Sequence, residues 1–292
     1  MALAHEQVIP LWPGRPKGTP ADLEPVITER SENLFRTSRV ITGVSAPSLT
    51  AIVPEKPNGV SLIAAPGGGY RRISLDAAGY QLALELAPLG ITTFMMIYRL
   101  PGEGHENAAD VPLMDAQRAV RLIRRNAADW GLSPDRIGFL GSSAAGHMAA
   151  SVATAHARQV YAPMDDADQL SARPDFLGLM VPVITMQDPF VHNGSREALL
   201  GDRADEAAKR DYSPDLQVTS DAPETFLVLA DDDQSVPAEN GLGFYAALRR
   251  AGVPAELHVF RDGGHTFSVP GAPVRDWSRL FIDWLRQIGM LD

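Results

Sequence analysis

The chain has 292 residues, 45 % of them hydrophobic and 21 % charged, with no Cys and a formal net charge of −10. A chain of this length buries about three quarters of its unfolded surface, so it needs no disulfide or metal staple. The absence of Cys excludes a thiolate zinc site, an iron–sulfur cluster and a cysteine nucleophile, and an acidic balance without a long Lys/Arg run argues against nucleic acid.

The opening MALAHEQVIPLWPGRPKG has neither a basic n-region nor an apolar h-region. No apolar run approaches the 18 residues or more of a membrane helix. The expectation is a soluble, cytoplasmic, single-domain protein over 1–292, with a small molecule rather than a membrane as partner and homo-oligomerisation left open. Residues 1–38 are rich in Pro and charge and lack a period, which predicts an extended arm lying on the domain. Segments 39–43 and 49–53 flank Pro47 and predict an early hairpin. The run 60–65 is a buried strand that leads into Pro66-Gly67-Gly68-Gly69. A helical period over 75–89 stops at Gly90, and 91–98 is a second buried strand. Asp110 is placed to cap a helix reaching Trp130. On it Arg118, Arg121, Arg124 and Arg125 fall at helical spacing and read as a solvated face. A strand over 136–140, a small-residue helix over 144–157 and strands over 176–181 and 225–230 follow. The polar stretch 182–223 between the last two reads as a cap insertion. A helix over 237–252, a strand over 256–260 and an amphipathic helix over 273–288 complete the chain. Trp12, Trp130, Trp277 and Trp284 are candidates to stack on a sugar, but the spacing of Trp277 and Trp284 favours core packing.

Strands alternating with helices predict an α/β fold, a mostly parallel central sheet with helices on both faces. Such sheets place ligands beyond the carboxyl ends of their strands. Four loops there carry chemistry. After 136–140 comes Gly141-Ser142-Ser143-Ala144-Ala145-Gly146-His147, which resembles the nucleophile elbow G-x-S-x-G of α/β-hydrolases. Small residues two before and two after Ser143 let the strand turn sharply into a helix. Position 145 departs from the pattern with Ala, and Ser142 is a rival with a poorer fit. After 225–230 comes Asp231-Asp232-Asp233-Gln234-Ser235-Val236-Pro237. The place of the acid before a Val-Pro pair in α/β-hydrolases selects Asp233; Asp231 and Asp232 read as solvated. After 256–260, Gly263-Gly264 can swing His265 over the sheet edge. Ser143, Asp233 and His265 stand in the α/β-hydrolase order. The glycine run at 67–69 lacks the Gly-Lys-Ser/Thr of a phosphate loop. It is therefore read as part of an oxyanion hole, with backbone N–H of Ala144 and of Gly68 or Gly69 as donors.

Several stretches together resemble the bacterial α/β-hydrolase esterases that include acetylxylan esterases. They are PGGGY (66–70), IYRLP (97–101), the segment 115–150 from DAQRAV to GHMAA, SREALLG (195–201), YSPDLQV (212–218), 231–260 and GGHTF (263–267). A second Gly is common in that family where Thr266 stands. The resemblance implies removal of O-acetyl groups from short xylo-oligosaccharides through an acyl-enzyme, with no cofactor or metal. Candidates for substrate contact are Tyr70, Arg71, Arg72, His105, Asp188 and His192. The alternatives are a general short-chain carboxylesterase or lipase, a prolyl-oligopeptidase-like peptidase, and a non-catalytic hydrolase fold used for binding.

Overall fold

The apolar runs recognised above become strands because they can be buried on both faces at once. The computed structural model describes residues 6–33, 35, 37–76, 79–202, 204–267 and 276–292. Strand β1 is Glu6–Pro10, β2 Val26–Glu29, β3 Arg39–Thr42, β4 Ser48–Ile52, β5 Ser61–Ala65, β6 Ile73–Ser74 and β7 Thr92–Ile97. Later in the chain come β8 (Ile137–Ser142), β9 (Phe176–Met180), β10 (Glu224–Ala230) and β11 (Ala255–Phe260). Eight of them form one sheet in the order β1-β4-β7-β5-β8-β9-β10-β11. β1, β4 and β7 are joined antiparallel, and every pairing from β7 to β11 is parallel. All residues of β5 and β9 are buried, and so is β8 up to its last residue.

Helices cover both faces. One face carries α2 (Val111–Trp130) and α3 (Ala144–Thr154), with Phe244 and Leu248 of α6 (Glu239–Arg250) in the same core. The other carries α1 (Gly79–Leu86) and α7 (Trp277–Gln287). On α7, Phe281 and Trp284 pack on Phe226 of β10, with ring centroids 5.4 and 5.7 Å apart. Trp277 and Trp284 are thus core residues. Of the expected helices over 75–89 and 273–288, residues 77–78 and 273–275 lie outside the described residues. Among the described residues no helix is long and apolar enough to cross a membrane.

Four expectations are corrected. The segments around Pro47 do not pair: β3 joins β2 and β6 in a separate three-stranded sheet, while β4 runs between β1 and β7. The N-terminal arm is not merely laid on the surface. Its β1 extends the main sheet, and Leu11 and Trp12 beyond it are buried, the indole N–H donating to Asp115 at 2.8 Å. Edge pairing is made by backbone groups, so it leaves no side-chain period to read. The Arg row of α2 is not a solvated face either. Arg118 is buried and holds Asp165, Asp168 and the Leu11 carbonyl. Arg121 reaches Tyr161, and Arg124 reaches Asp175. Of the four, Arg125 alone is exposed. Asp110 starts α2 without a side-chain cap; its carboxylate instead accepts from the Tyr212 hydroxyl at 2.7 Å.

The stretch 182–223 carries α4 (Asn193–Leu200) and α5 (Glu206–Asp211). It is stapled to the body by Asn240, whose Oδ1 accepts from the N–H groups of Ile184 and Thr185 while Nδ2 donates to the Phe190 carbonyl.

Candidate active site

Ser143 sits between β8 and α3 with φ 54° and ψ −125°, a conformation that a non-glycine residue keeps only when its surroundings enforce it. They do so here. The Ser143 N–H donates to Met180 O, and its carbonyl accepts from Gly146 and Val183. Gly141 explains the first small position: a Cβ there would lie 2.1 Å from the Ala145 carbonyl oxygen. Ala145 itself is fully buried, so the departure from glycine at that position fits the packing.

Asp233 and His265 leave the ends of β10 and β11 and meet Ser143 from the neighbouring strand ends. His265 Nδ1 lies 2.7 Å from Asp233 Oδ2, and His265 Nε2 lies 2.8 Å from Ser143 Oγ. An ionised carboxylate only accepts, so Nδ1–H donates to Asp233 and Nε2 is left to accept from the serine hydroxyl. Asp233 Oδ1 accepts from the N–H groups of Ser235 and Val236. Burial alone pushes its carboxyl up, but the bonds from His265 and these two backbone donors outweigh that and hold it below its ordinary value.

Asp232, read from the sequence as solvated, takes a different part. Its Oδ1 accepts from the backbone N–H of Gly263 at 2.8 Å and of Gly264 at 2.7 Å, tying down the loop that carries His265. The signal was the double glycine, whose exposed N–H groups need an acceptor. Asp231 is exposed. Among the described residues no cluster of His, Asp and Glu could hold a metal ion.

Opposite the elbow runs the glycine loop. Gly68 has φ 151°, and a Cβ on it would lie 2.1 Å from the Arg72 carbonyl oxygen, so only glycine fits. Ser142, weighed above as a rival nucleophile, accepts from the Gly67 N–H at 3.1 Å and so fastens this loop to the elbow. Gly68 and Gly69 both face the cavity that contains Ser143 and His265. Ala144 is the first residue of α3, where backbone N–H groups lack intrahelical acceptors.

The cavity measures about 570 Å³. Of the candidates for substrate contact, Arg71, Arg72 and His192 line it, and Tyr70, His105 and Asp188 do not. Tyr70 is buried, and its hydroxyl donates to His147 Nδ1 at 2.8 Å, while His147 Nε2–H donates to the Tyr212 carbonyl at 2.7 Å. Burial lowers His147 to about 4, so it stays neutral. His105 is buried in the loop before α2, lowered to about 4 by burial and by the nearby Arg99. Asp188 is exposed and paired with Arg196. His192 caps α4: its Nδ1 accepts from the Ser195 N–H at 3.1 Å, which leaves the ring proton on Nε2. Burial and then the nearness of His265 lower it. Sequence reasoning missed Arg30, Met180 and Val181 in the cavity wall. Arg30 belongs to an arm without periodicity, and nothing local marked it.

A sheet of this order, with a strained serine at the end of its central β8 and the acid and histidine at the ends of β10 and β11, defines an α/β-hydrolase. The BD-FAE family model matches residues 55–248, and the chain belongs to that family. It is 31 % identical over 223 residues to an acetylxylan esterase of Xylanibacter ruminicola, covering 75 % of this chain and 43 % of that protein. It is 31 % identical over 208 residues to endo-1,4-beta-xylanase B of Butyrivibrio fibrisolvens, covering 71 % of this chain and 32 % of that one. The chain thus spans less than half the length of these two relatives. The crystal structure of an acetyl ester-xyloside bifunctional hydrolase from Caldicellulosiruptor lactoaceticus superposes with a TM-score of 0.79 at 32 % identity, over 98 % of this chain and 97 % of that chain. A carboxylesterase of Lactobacillus plantarum shares the fold, with a TM-score of 0.68 at 20 % identity over 91 % of this chain and 99 % of that chain.

Proposed function

We propose that the protein is a serine esterase that removes O-acetyl groups from short acetylated xylo-oligosaccharides. The observation that carries this reading is the unbroken chain Asp233–His265–Ser143, with contacts of 2.7 and 2.8 Å, on the floor of an open cavity. In this reading His265 Nε2 takes the hydroxyl proton as Ser143 Oγ bonds to the ester carbonyl carbon. Asp233 holds the ring in the tautomer that makes Nε2 the acceptor and stabilises the imidazolium that forms. The N–H of Ala144 and those of Gly68 or Gly69 receive the developing oxyanion; one such donor is worth roughly 2.7–4 kcal/mol in a comparable site. His265 then gives its proton to the leaving sugar hydroxyl, and water, deprotonated by the same nitrogen, releases acetate from Ser143. His192 Nε2–H is available to donate to a substrate oxygen.

The acetyl and xylosyl parts of the reading rest on relatives named for acetylxylan and acetyl ester-xyloside hydrolysis. Two measurements test it. A fluorophosphonate should add covalently to Ser143, read by peptide mass. Aryl esters of increasing acyl length should lose kcat/KM steeply beyond acetate, and acetylated xylo-oligosaccharides should release acetate. Labelling at Ser142 would overturn the mechanism, and a preference for long acyl chains would overturn the substrate.

A further inference from the structure

The charge at the mouth of the cavity opposes that of the molecule. The chain carries −10 overall, yet the cavity that holds Ser143 is lined by Arg30, Arg71 and Arg72 against a single carboxylate, Asp76. That carboxylate is already occupied, because Arg39 grips both of its oxygens through Nε and an end nitrogen. Arg71 is paired with Glu197 at 2.8 Å. Among the described residues the Arg30 guanidinium donates to the hydroxyl and carbonyl of Ser38 and to no carboxylate. Arg72 has no side-chain acceptor among the described residues. Two guanidinium groups therefore line the cavity with no carboxylate paired to either among the described residues. The backbone of Arg72 packs against Gly68 in the loop opposite Ser143, which sets its charge within a few residues' reach of the reacting ester.

We propose that this cavity selects acetyl esters whose alcohol part bears a carboxylate, the class of uronic-acid-substituted acetylated oligosaccharides, with the carboxylate seated by Arg30 and Arg72. This rests on the esterase reading above and adds to it the charge of the substrate. A guanidinium presents its donors in a planar fork that matches a carboxylate, which a neutral xylosyl hydroxyl cannot exploit. A cavity of about 570 Å³ accommodates a short sugar chain beyond the acetyl group. The carboxylate takes no part in bond making; it orients the leaving sugar over Ser143.

The experiment compares acetate release from two matched substrates, acetylated xylobiose and an acetylated xylose bearing glucuronic acid, and reads the ratio of their kcat/KM within one protein sample. In low salt the acidic substrate should be favoured roughly tenfold, an effect of two exposed charges on one cavity. The ratio should approach parity at about 0.5 M salt, where the screening length falls to about 4–5 Å. It should also approach parity in the R30Q/R72Q double variant. A ratio near one in the unaltered protein at low salt overturns the proposal, as does a preference that survives both salt and the double substitution. If the double variant does not fold, the salt series on the unaltered protein still decides. Should neither substrate release acetate and Ser143 resist the fluorophosphonate, it is the esterase reading that fails.

Discussion

The floor of the cavity and its rim are held together by different physics. On the floor, Ser143, Asp233 and His265 are fixed by backbone hydrogen bonds and by packing that leaves glycine as the sole choice at position 141. On the rim, Arg71 meets Glu197 with both side chains about half exposed, and among the described residues Arg72 has no side-chain acceptor. Buried bonds cost much when broken, because the abandoned partner stays out of water. Exposed ion pairs cost little, because water replaces them. The floor should accordingly control rate, and the rim should control which alcohol is accepted.

The largest effect should come from Ser143→Ala. Turnover of an aryl acetate should fall by more than about 10³-fold with an unchanged thermal midpoint, since catalytic groups that act as a unit fail together. Residual turnover near the unaltered rate would remove the floor from the chemistry altogether. Asp232→Ala should follow. It leaves the N–H groups of Gly263 and Gly264 without their acceptor, so His265 loses its exact placement, and kcat should drop roughly 10- to 100-fold with KM much less affected. A fall confined to stability would reduce Asp232 to a structural bond.

Acid should loosen the buried face of α3, which carries His147, before it affects the rim. An unfolded histidine titrates near 6.5, whereas His147 in the fold is lowered to about 4. Between these values the unfolded chain binds the extra proton, so the stabilisation is complete above about 6.5 and is lost as pH falls towards 4. The loss is on the order of 3 kcal/mol, measurable as denaturation midpoints across that range, and His147→Gln should flatten the slope. Tyr70→Phe strands the His147 Nδ1 acceptor and should cost about 1–3 kcal/mol in chemical denaturation. Smallest of all, Arg71→Ala should change stability by less than about 0.5 kcal/mol, because its bond to Glu197 is exposed. A larger change there would erase the contrast between floor and rim.

Local chemistry made much of this legible in the chain itself. Continuous apolar runs located the strands β5, β8, β9 and β10, because a strand buried on both faces must be apolar along its length. The Gly-x-Ser turn, the Asp before Val-Pro and the Gly-Gly-His loop could each be read within seven residues. What pairs with what was decided elsewhere. Whether β3 joins β4, whether Arg118 faces water or Asp168, and whether Tyr70 reaches the substrate or His147 all depend on groups 30 to 80 residues apart meeting in space. A side chain's neighbours are set by the folded path of the whole chain. No window of sequence contains them, and so the order of Ser, Asp and His along the chain was open to reading while Arg30 in the same cavity wall was not.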